Sequence, residues 1–553
     1  MRAVRGSEAW SREIARWIAA GVPQGPAPPA GSEPVRVVIP MLVGASELFA
    51  LREGLIAHAL RQRGAEPLFV LCDGLSHCDA RTFDHDSAQI CRGCTASGLR
   101  SLAQLKLPAT RLSEWIDAAD REEVELRLAG LADLDLLRVH FRGIDLAPWV
   151  FGSTLRYLRA GRLDLENAEM ASLARGNLRT ALLMTAAASK LLLALAPDRL
   201  FSSHGLYATW GPWMALARAY RIASVIYGGG WRRGTLLYQH NAPRRMHCDD
   251  LWPHYRERPL TDDENAELDD YFATREDNRA EFFRYFEQVD RDRESFLQRI
   301  GVAGQSFDRT FGLFTNVAFD AAEYESRGAF RDMFEWIEEV VAFFVQRPKL
   351  LLVIKVHPAE SRFIEPTPTP WRVATRLAQR FGELPANVRI VPSDDPVSPF
   401  LIYSLIDAGL VHTSTVGLEL ALAGKPVLTS GSGVHYEKPG IAQGAKSREE
   451  FFAKLHSLIA NPQASRPDRE LVRRYAYTLY FRKSVPFEPL DVDGWEPIAS
   501  RVDTLADLAP GRFPGLDRLC AAILESQREG NSSVKDDHRL SQSARDPAGA
   551  SSM

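Results

Sequence analysis

The chain is poor in cysteine, lacks a phosphate-loop motif and has no long uninterrupted apolar run, and each lack removes a class of function. Six cysteines in 553 residues are too few to staple a chain of this length, so hydrophobic cores must hold it together. No G-x-x-x-x-G-K-[ST] segment occurs, which argues against ATP hydrolysis. The turn Gly44-Ala45-Ser46 is not a G-x-G-x-x-G fingerprint, so no dinucleotide is inferred there. There is no H-E-x-x-H and no carboxylate triad to suggest catalytic zinc. Asp133-Leu134-Asp135 and Asp491-Val492-Asp493 spell D-x-D, but the first lies in a leucine-rich helical run and the second in a late Pro-rich loop, and both read as chance. Charge is also balanced: 67 basic against 71 acidic residues, net −4, gives no basic excess for a nucleic acid. Met1–Gly21 carries Glu8 and Glu13 and lacks a signal-peptide core. Ala181–Pro197 is short and contains Lys190, so it reads as a buried helix rather than a membrane span. The expectation is a cytoplasmic chain.

What is present is ordinary globular composition, 45% hydrophobic and 25% charged, at a length that calls for two or three domains. Residues 1–34 read as a short amphipathic helix followed by a Pro/Gly-rich linker. Residues 35–250 start β-α-β, with an apolar strand at Val35–Leu42, a helix over Gly44–Arg63 and a strand at Pro67–Cys72. Helical stretches over Thr110–Ala129 and Leu163–Leu195 follow. Leu200–Ser203, a helix over Pro212–Tyr220 and Ser224–Tyr227 then close a first Rossmann-like half. Residues 251–308 read as a charged helical connector opened by the capping box Thr261-Asp262-Asp263-Glu264. Residues 309–526 form a second Rossmann-like half with closing helices, of which Leu471–Tyr480 is the candidate to cross back to the first. Residues 527–553, polar and small, read as a disordered tail.

The most informative stretch is Lys349–Gly440. A buried strand ends in Lys355, His357 and Pro358, at the carboxyl end where open α/β sheets bind ligands. Further on, Thr413-Ser414-Thr415-Val416-Gly417 opens a helix whose N–H groups and hydroxyls favour an anion. Ser414, Thr415 and Gly417 suit phosphate binding or ordinary N-capping, which uses the same residue types. Basic groups beside a phosphate-accepting helix start are what a nucleotide sugar needs. Thr315 and Asn316, after the first strand of this half, are further donor contacts or an N-cap.

These segments also resemble a family. Lys355-Val356-His357-Pro358, Ser414-Thr415-Val416-Gly417-Leu418-Glu419, Gly424-Lys425-Pro426-Val427 and the trailing Gly433 and Tyr436 are similar to the C-terminal half of the capsule polysaccharide biosynthesis glycosyltransferases, the Kdo-transferase-like group. Teichoic-acid glycerophosphotransferases share much of the set. The resemblance implies two facing Rossmann-like domains (the GT-B architecture). It implies transfer of a sugar from a CMP-, UDP-, GDP- or dTDP-linked donor to an oligosaccharide or glycolipid acceptor. No cofactor or metal is required for the chemistry, and a lipid-linked acceptor would bring the protein to the inner membrane peripherally. In that context Lys355 and His357 hold the donor phosphate, or His357 the nucleotide end, where the plain alternative is a strand-end Lys in water and a His capping a loop. Glu419 contacts the ribose or else complements the helix dipole. The alternatives are a CDP-alcohol phosphotransferase of teichoic-acid type, a nucleotide-sugar epimerase, and a non-catalytic glycan-assembly subunit.

In the first half two groups compete as the base. His204, in Ser202-Ser203-His204-Gly205, has an unperturbed pKa suited to neutral-pH proton transfer. Asp73, directly after a strand, could take the same proton or contact the acceptor. Gly228-Gly229-Gly230 would allow close approach to a ligand or form a loop. Cys72, Cys78, Cys91 and Cys94 include one C-x2-C pair, with His77 and His85 nearby. They read either as a structural zinc knuckle after the second strand or as four reduced thiols.

Overall fold

The computed structural model describes residues 2–3, 6–26, 33–74, 87–243, 247–276, 285–319, 328–362, 371–431 and 433–526. Cys78, His77, His85 and the expected 527–553 tail lie outside them. The chain forms two compact α/β units: residues 1–150, 175–245 and 484–553 make unit 1, and 151–174 with 246–483 make unit 2.

Unit 1 contains β1 (Arg36–Met41), β2 (Glu66–Leu71), β3 (Ala109–Arg111), β4 (Arg199–Ser203), β5 (Ala223–Gly229) and β6 (Thr235–His240). Unit 2 contains β7 (Arg309–Phe314), β8 (Leu350–Lys355), β9 (Val388–Val391), β10 (Ala408–Val411), β11 (Val427–Thr429) and β12 (Gln443–Gly444). The chain then adds β13 (Val485–Pro486) and the hairpin β14 (Leu490–Asp493) and β15 (Glu496–Ser500) to unit 1.

The unit 2 sheet is parallel throughout, in the order β9-β8-β7-β10-β11-β12. Helices cover both faces of such a sheet, so its strands are continuously apolar, and all six residues of β8 are buried. Unit 1 repeats the order, β3-β2-β1-β4-β5-β6-β13, with the last two pairings antiparallel, so that β6 alone runs against the others. In each sheet the strand order reverses beside its first strand, between β7 and β10 and between β1 and β4. Ligands of doubly wound sheets bind at that reversal, outside the carboxyl ends.

Several expected boundaries are corrected. Residues 251–308 are part of unit 2 rather than a connector, and 484–526 build unit 1 rather than the second half. Helix Arg469–Tyr477 stays in unit 2, and the chain enters unit 1 only after Lys483. Thr110–Ala129 is not one helix: β3 and a 3-10 turn over Leu112–Trp115 precede helix Ala118–Ala129. The helix expected from Pro212 starts at Tyr207 and carries Pro212 inside it. Helix Ala168–Leu195 is long and apolar enough to cross a membrane by length and composition, yet 72% of its most apolar window is buried, as in a core helix.

The unit 1 core reaches both ends of the described chain. Trp10 and Trp17 of helix Ser7–Ala19 belong to the same hydrophobic core as Leu516, Leu519 and Ile523 of helix Pro514–Leu524. Buried indoles need acceptors; Trp10 Nε1 donates to Pro497 O at 3.2 Å and Trp17 Nε1 to Val502 O at 3.0 Å.

Candidate functional site

Strand register sets the unit 2 site. Phe314 is level with Lys355 on one side and Val411 on the other, so Thr315-Asn316, His357 and His412-Thr413-Ser414 emerge together at the reversal. Asn316 ties the two sides: its Nδ2 donates to Thr413 Oγ1, and its Oδ1 accepts the Thr413 N–H at 3.3 Å. Thr315 is buried, and its Oγ1 accepts the His357 N–H at 2.9 Å. Below them His412 Nδ1 meets Ser430 Oγ at 2.7 Å and the ring stacks on Trp336.

His357 is half-buried just past the end of β8. Its Nδ1 accepts the Ala359 N–H at 3.1 Å, so a neutral ring carries its proton on Nε2 and presents a donor there. Burial, and secondarily the charge of Lys355, hold the imidazole down at about 4. Tyr285 stands edge-on at 5.6 Å.

Other expected donor contacts are differently employed. Lys355 does not face a ligand: its Nζ donates to Pro392 O at 3.2 Å and Asp395 O at 3.1 Å, and it is only 5% exposed. Burial lowers its pKa to about 8, against the pull of Asp395 and Asp394. Glu419 does not reach out to a ribose: Arg275 pairs with its Oε1 and the Tyr403 hydroxyl donates to its Oε2 at 2.9 Å, all in a buried setting. The helix expected to cradle phosphate is short, Val416–Leu422. Its first N–H groups are taken locally, Val416 by Ser414 Oγ at 3.4 Å, Gly417 by Ser414 O at 3.3 Å and Leu418 by Thr415 O at 3.0 Å. Thr415 is the N-cap without a side-chain bond to the helix. Gly417 is required by packing: a Cβ there would lie 2.3 Å from Tyr436 Oη, and that hydroxyl donates to Ser414 O. Asn316 and Thr413 thus carry more of the reversal than the Ser-Thr-Gly turn. Thr413 stands in the sequence motif, but its pairing with a residue of another strand end has no signal in spacing.

In unit 1, His204 sits at the β1/β4 reversal. Its N–H donates to Tyr227 O at 2.8 Å, Nδ1 meets Ser203 Oγ at 3.0 Å, and its backbone is left-handed with φ of 56°. Asp73 is built into the scaffold instead, accepting the Ser113 N–H at 3.0 Å and the Ser113 hydroxyl. It anchors the turn after β3. Gly228 and Gly229 belong to β5, and Gly230 closes the turn to β6 against Thr235.

The C-x2-C pair lies in helix Ser87–Gln104 rather than in a loop. Cys94 Sγ accepts the Ala45 N–H at 3.3 Å, and the absent side chains of Gly44 and Gly98 let this helix approach the turn after β1. Among the described residues no group of three or more His, Cys, Asp or Glu could hold a metal ion.

Residues 252–474 match the family model described as capsule polysaccharide biosynthesis protein. No curated protein matches the chain. Among solved structures, the β-Kdo 2,4-transferase KpsC of Thermosulfurimonas dismutans is similar at 14% identity over 57% of this chain and 87% of that one, with a TM-score of 0.34. The UDP-GlcNAc 2-epimerase of Neisseria meningitidis bound to UDP-GlcNAc is similar at 10% over 81% and 97%, TM-score 0.27. That of Methanocaldococcus jannaschii with UDP-GlcNAc and UDP is similar at 12% over 80% and 98%, TM-score 0.27. The matched segment runs from before β7 to helix Arg469–Tyr477 and so contains the whole unit 2 sheet and the reversal built here. Residues 252–474, less than half of the chain, are thus similar to the capsule polysaccharide biosynthesis protein family.

Proposed function

We propose that the chain is a glycosyltransferase of surface-polysaccharide assembly that takes a sugar from a nucleotide-activated donor, with the donor bound at the unit 2 reversal. The observation that carries this reading is the His357 Nε2–H donor at the carboxyl rim of a segment similar to this family, beside Asn316 and Thr413. A neutral imidazole donates to a phosphate oxygen without having to shed a proton, and strengthens that bond as negative charge builds on the departing nucleotide. Asn316 and Thr413 hold the two sides of the crevice at fixed separation, which is preorganisation. Lys355 and Glu419 act beneath this surface as buried supports. In this reading no divalent ion takes part in the chemical step, and turnover survives EDTA.

The test is a thermal-shift panel of CMP, CDP, UDP, GDP and dTDP on the native chain and on His357→Ala. A ligand that binds only the folded state raises its stability by RT ln(1 + [L]/Kd). The expected result is a rise with one nucleotide that His357→Ala loses. No rise with any of them overturns the reading. Product analysis with the nucleotide sugar so identified then distinguishes a glycosidic bond from the phosphodiester of a polyol-phosphate transferase.

A further inference from the structure

The carboxyl rim of the unit 1 sheet carries a row of aromatic rings that the donor chemistry of unit 2 does not use. Trp495, at the tip of the β14–β15 hairpin, is 39% exposed and is the one exposed Trp, Phe or Tyr among the described residues. Its ring centroid lies 6.0 Å from Phe49, at the start of helix Glu47–Arg61. Phe49 in turn lies 5.8 Å from His204, and His204 5.2 Å from Trp210. The row therefore runs from an exposed indole to the half-buried histidine at the strand reversal, with Trp210 beyond it.

The hairpin that carries Trp495 is braced. Arg233, in the turn between β5 and β6, donates from Nε to Val492 O at 2.7 Å and pairs with Asp493 at 3.3 Å. On the following strand, Pro497 O receives the Trp10 indole N–H. Gly494, with φ of 57°, makes the tight turn that puts Trp495 at the tip. An aromatic face held out on a fixed element binds a flat apolar surface without a further ordering cost. Two carboxylates stand near one another here: Glu496 follows Trp495 in sequence, and Glu47, two residues before Phe49, lies close enough that Glu496, after burial, helps push its carboxyl above the usual range.

A ring face beside carboxylate acceptors is what a pyranose presents a match for, with C–H bonds on one face and hydroxyl donors around its edge. We propose that the exposed ring of Trp495, backed by the buried ring of Phe49, forms a stacking platform for a saccharide ring, that Glu47 and Glu496 accept its hydroxyls, and that the rings behind the platform lead to His204. This deepens the transferase reading and rests on it: the saccharide is the acceptor, and His204 is the positioned base for its hydroxyl.

Saturation-transfer difference NMR on the full chain tests this, using the methyl glycosides of glucose, galactose and N-acetylglucosamine, and Kdo, as probes. The native chain is expected to saturate at least one. Trp495→Ala is expected to weaken that binding about tenfold, and Trp495→Phe to retain most of it. Equal saturation in Trp495→Ala, or none of any probe by the native chain, overturns the platform. The nucleotide panel run on the same samples separates the two readings. Saccharide binding that depends on Trp495, in a chain that no nucleotide stabilises, keeps the platform and removes the transferase. An unchanged nucleotide shift in Trp495→Ala, expected here, also shows that the variant is folded.

Discussion

Single side chains in this protein are set by burial before they are set by charge. Glu53 is 2% exposed in helix Glu47–Arg61, and its Oε1 accepts the Tyr227 hydroxyl at 2.7 Å. Burial pushes its carboxyl up to about 8, although the Tyr227 bond and the adjacent Arg52 both pull it down. An unfolded glutamate titrates at about 4.3. Between roughly pH 4.3 and 8 the folded chain keeps a proton that the unfolded chain has released, so stability from this group is full below that window, falls through it, and is lost above it. The slope is at most about 1.4 kcal/mol per pH unit. Glu53→Gln keeps an acceptor for Tyr227 and does not titrate. Urea midpoints at pH 5, 6.5 and 8 are expected to show the variant gaining on the native chain as pH rises, and a constant difference would mean that Glu53 is charged in the folded state. Histidines run the other way: burial holds His435 at about 3 and His58 at about 4, so each contributes stability above roughly pH 6.5 that is lost on acidification.

At the scale of elements, the unit 2 reversal is held by one close packing as much as by hydrogen bonds. Helix Val416–Leu422 lies on Tyr436 through Gly417, where an added Cβ would come within 2.5 Å of the ring carbons Cε2 and Cζ. Tyr436 is fully buried and cannot swing aside. Gly417→Ala is expected to cost about 1–3 kcal/mol, the usual range for overpacking, read as a lower urea midpoint at unchanged slope. Native-like stability would show that the ring can yield. The strands that make this sheet were legible because a strand covered on both faces is a continuous apolar run, as in Leu350–Ile354 and Ala408–Val411. The direction taken by the polar group at a strand end was not. Lys355 and Glu419 match the family motif, yet Lys355 turns to carbonyls 37 and 40 positions away, and Glu419 to Arg275, 144 positions away. Local spacing holds no record of such partners. His357 was legible as a donor contact, but its tautomer follows from a backbone turn visible only in the fold.

Over the whole chain, apolar periodicity marks which residues are buried but not in which core. That is why 484–526 reads as part of the second half, although its side chains complete the first. Phe487, Leu490, Leu505, Leu508, Leu516 and Leu519 all lie in the unit 1 core. At about 1.5–3 kcal/mol for each buried side chain they contribute on the order of 10 kcal/mol, comparable to the entire stability of a typical domain, about 5–15 kcal/mol. A chain ending at Lys483 is expected to leave unit 1 unfolded, with residues 36–150 and 175–240 cut rapidly in limited proteolysis. Native-like resistance of these stretches would show that unit 1 stands without its last segment. The same arrangement governs how the protein is made. The indole of Trp10 waits for a carbonyl 487 positions later, an interval of about 25–100 s at ribosomal speeds of roughly 5–20 residues per second. The unit 2 sheet, contained between Arg309 and Gly444, emerges complete roughly 3–11 s before that. Synthesis therefore finishes the second-made sheet first, and the amino-terminal tryptophans are a long-lived target for chaperones on the nascent chain.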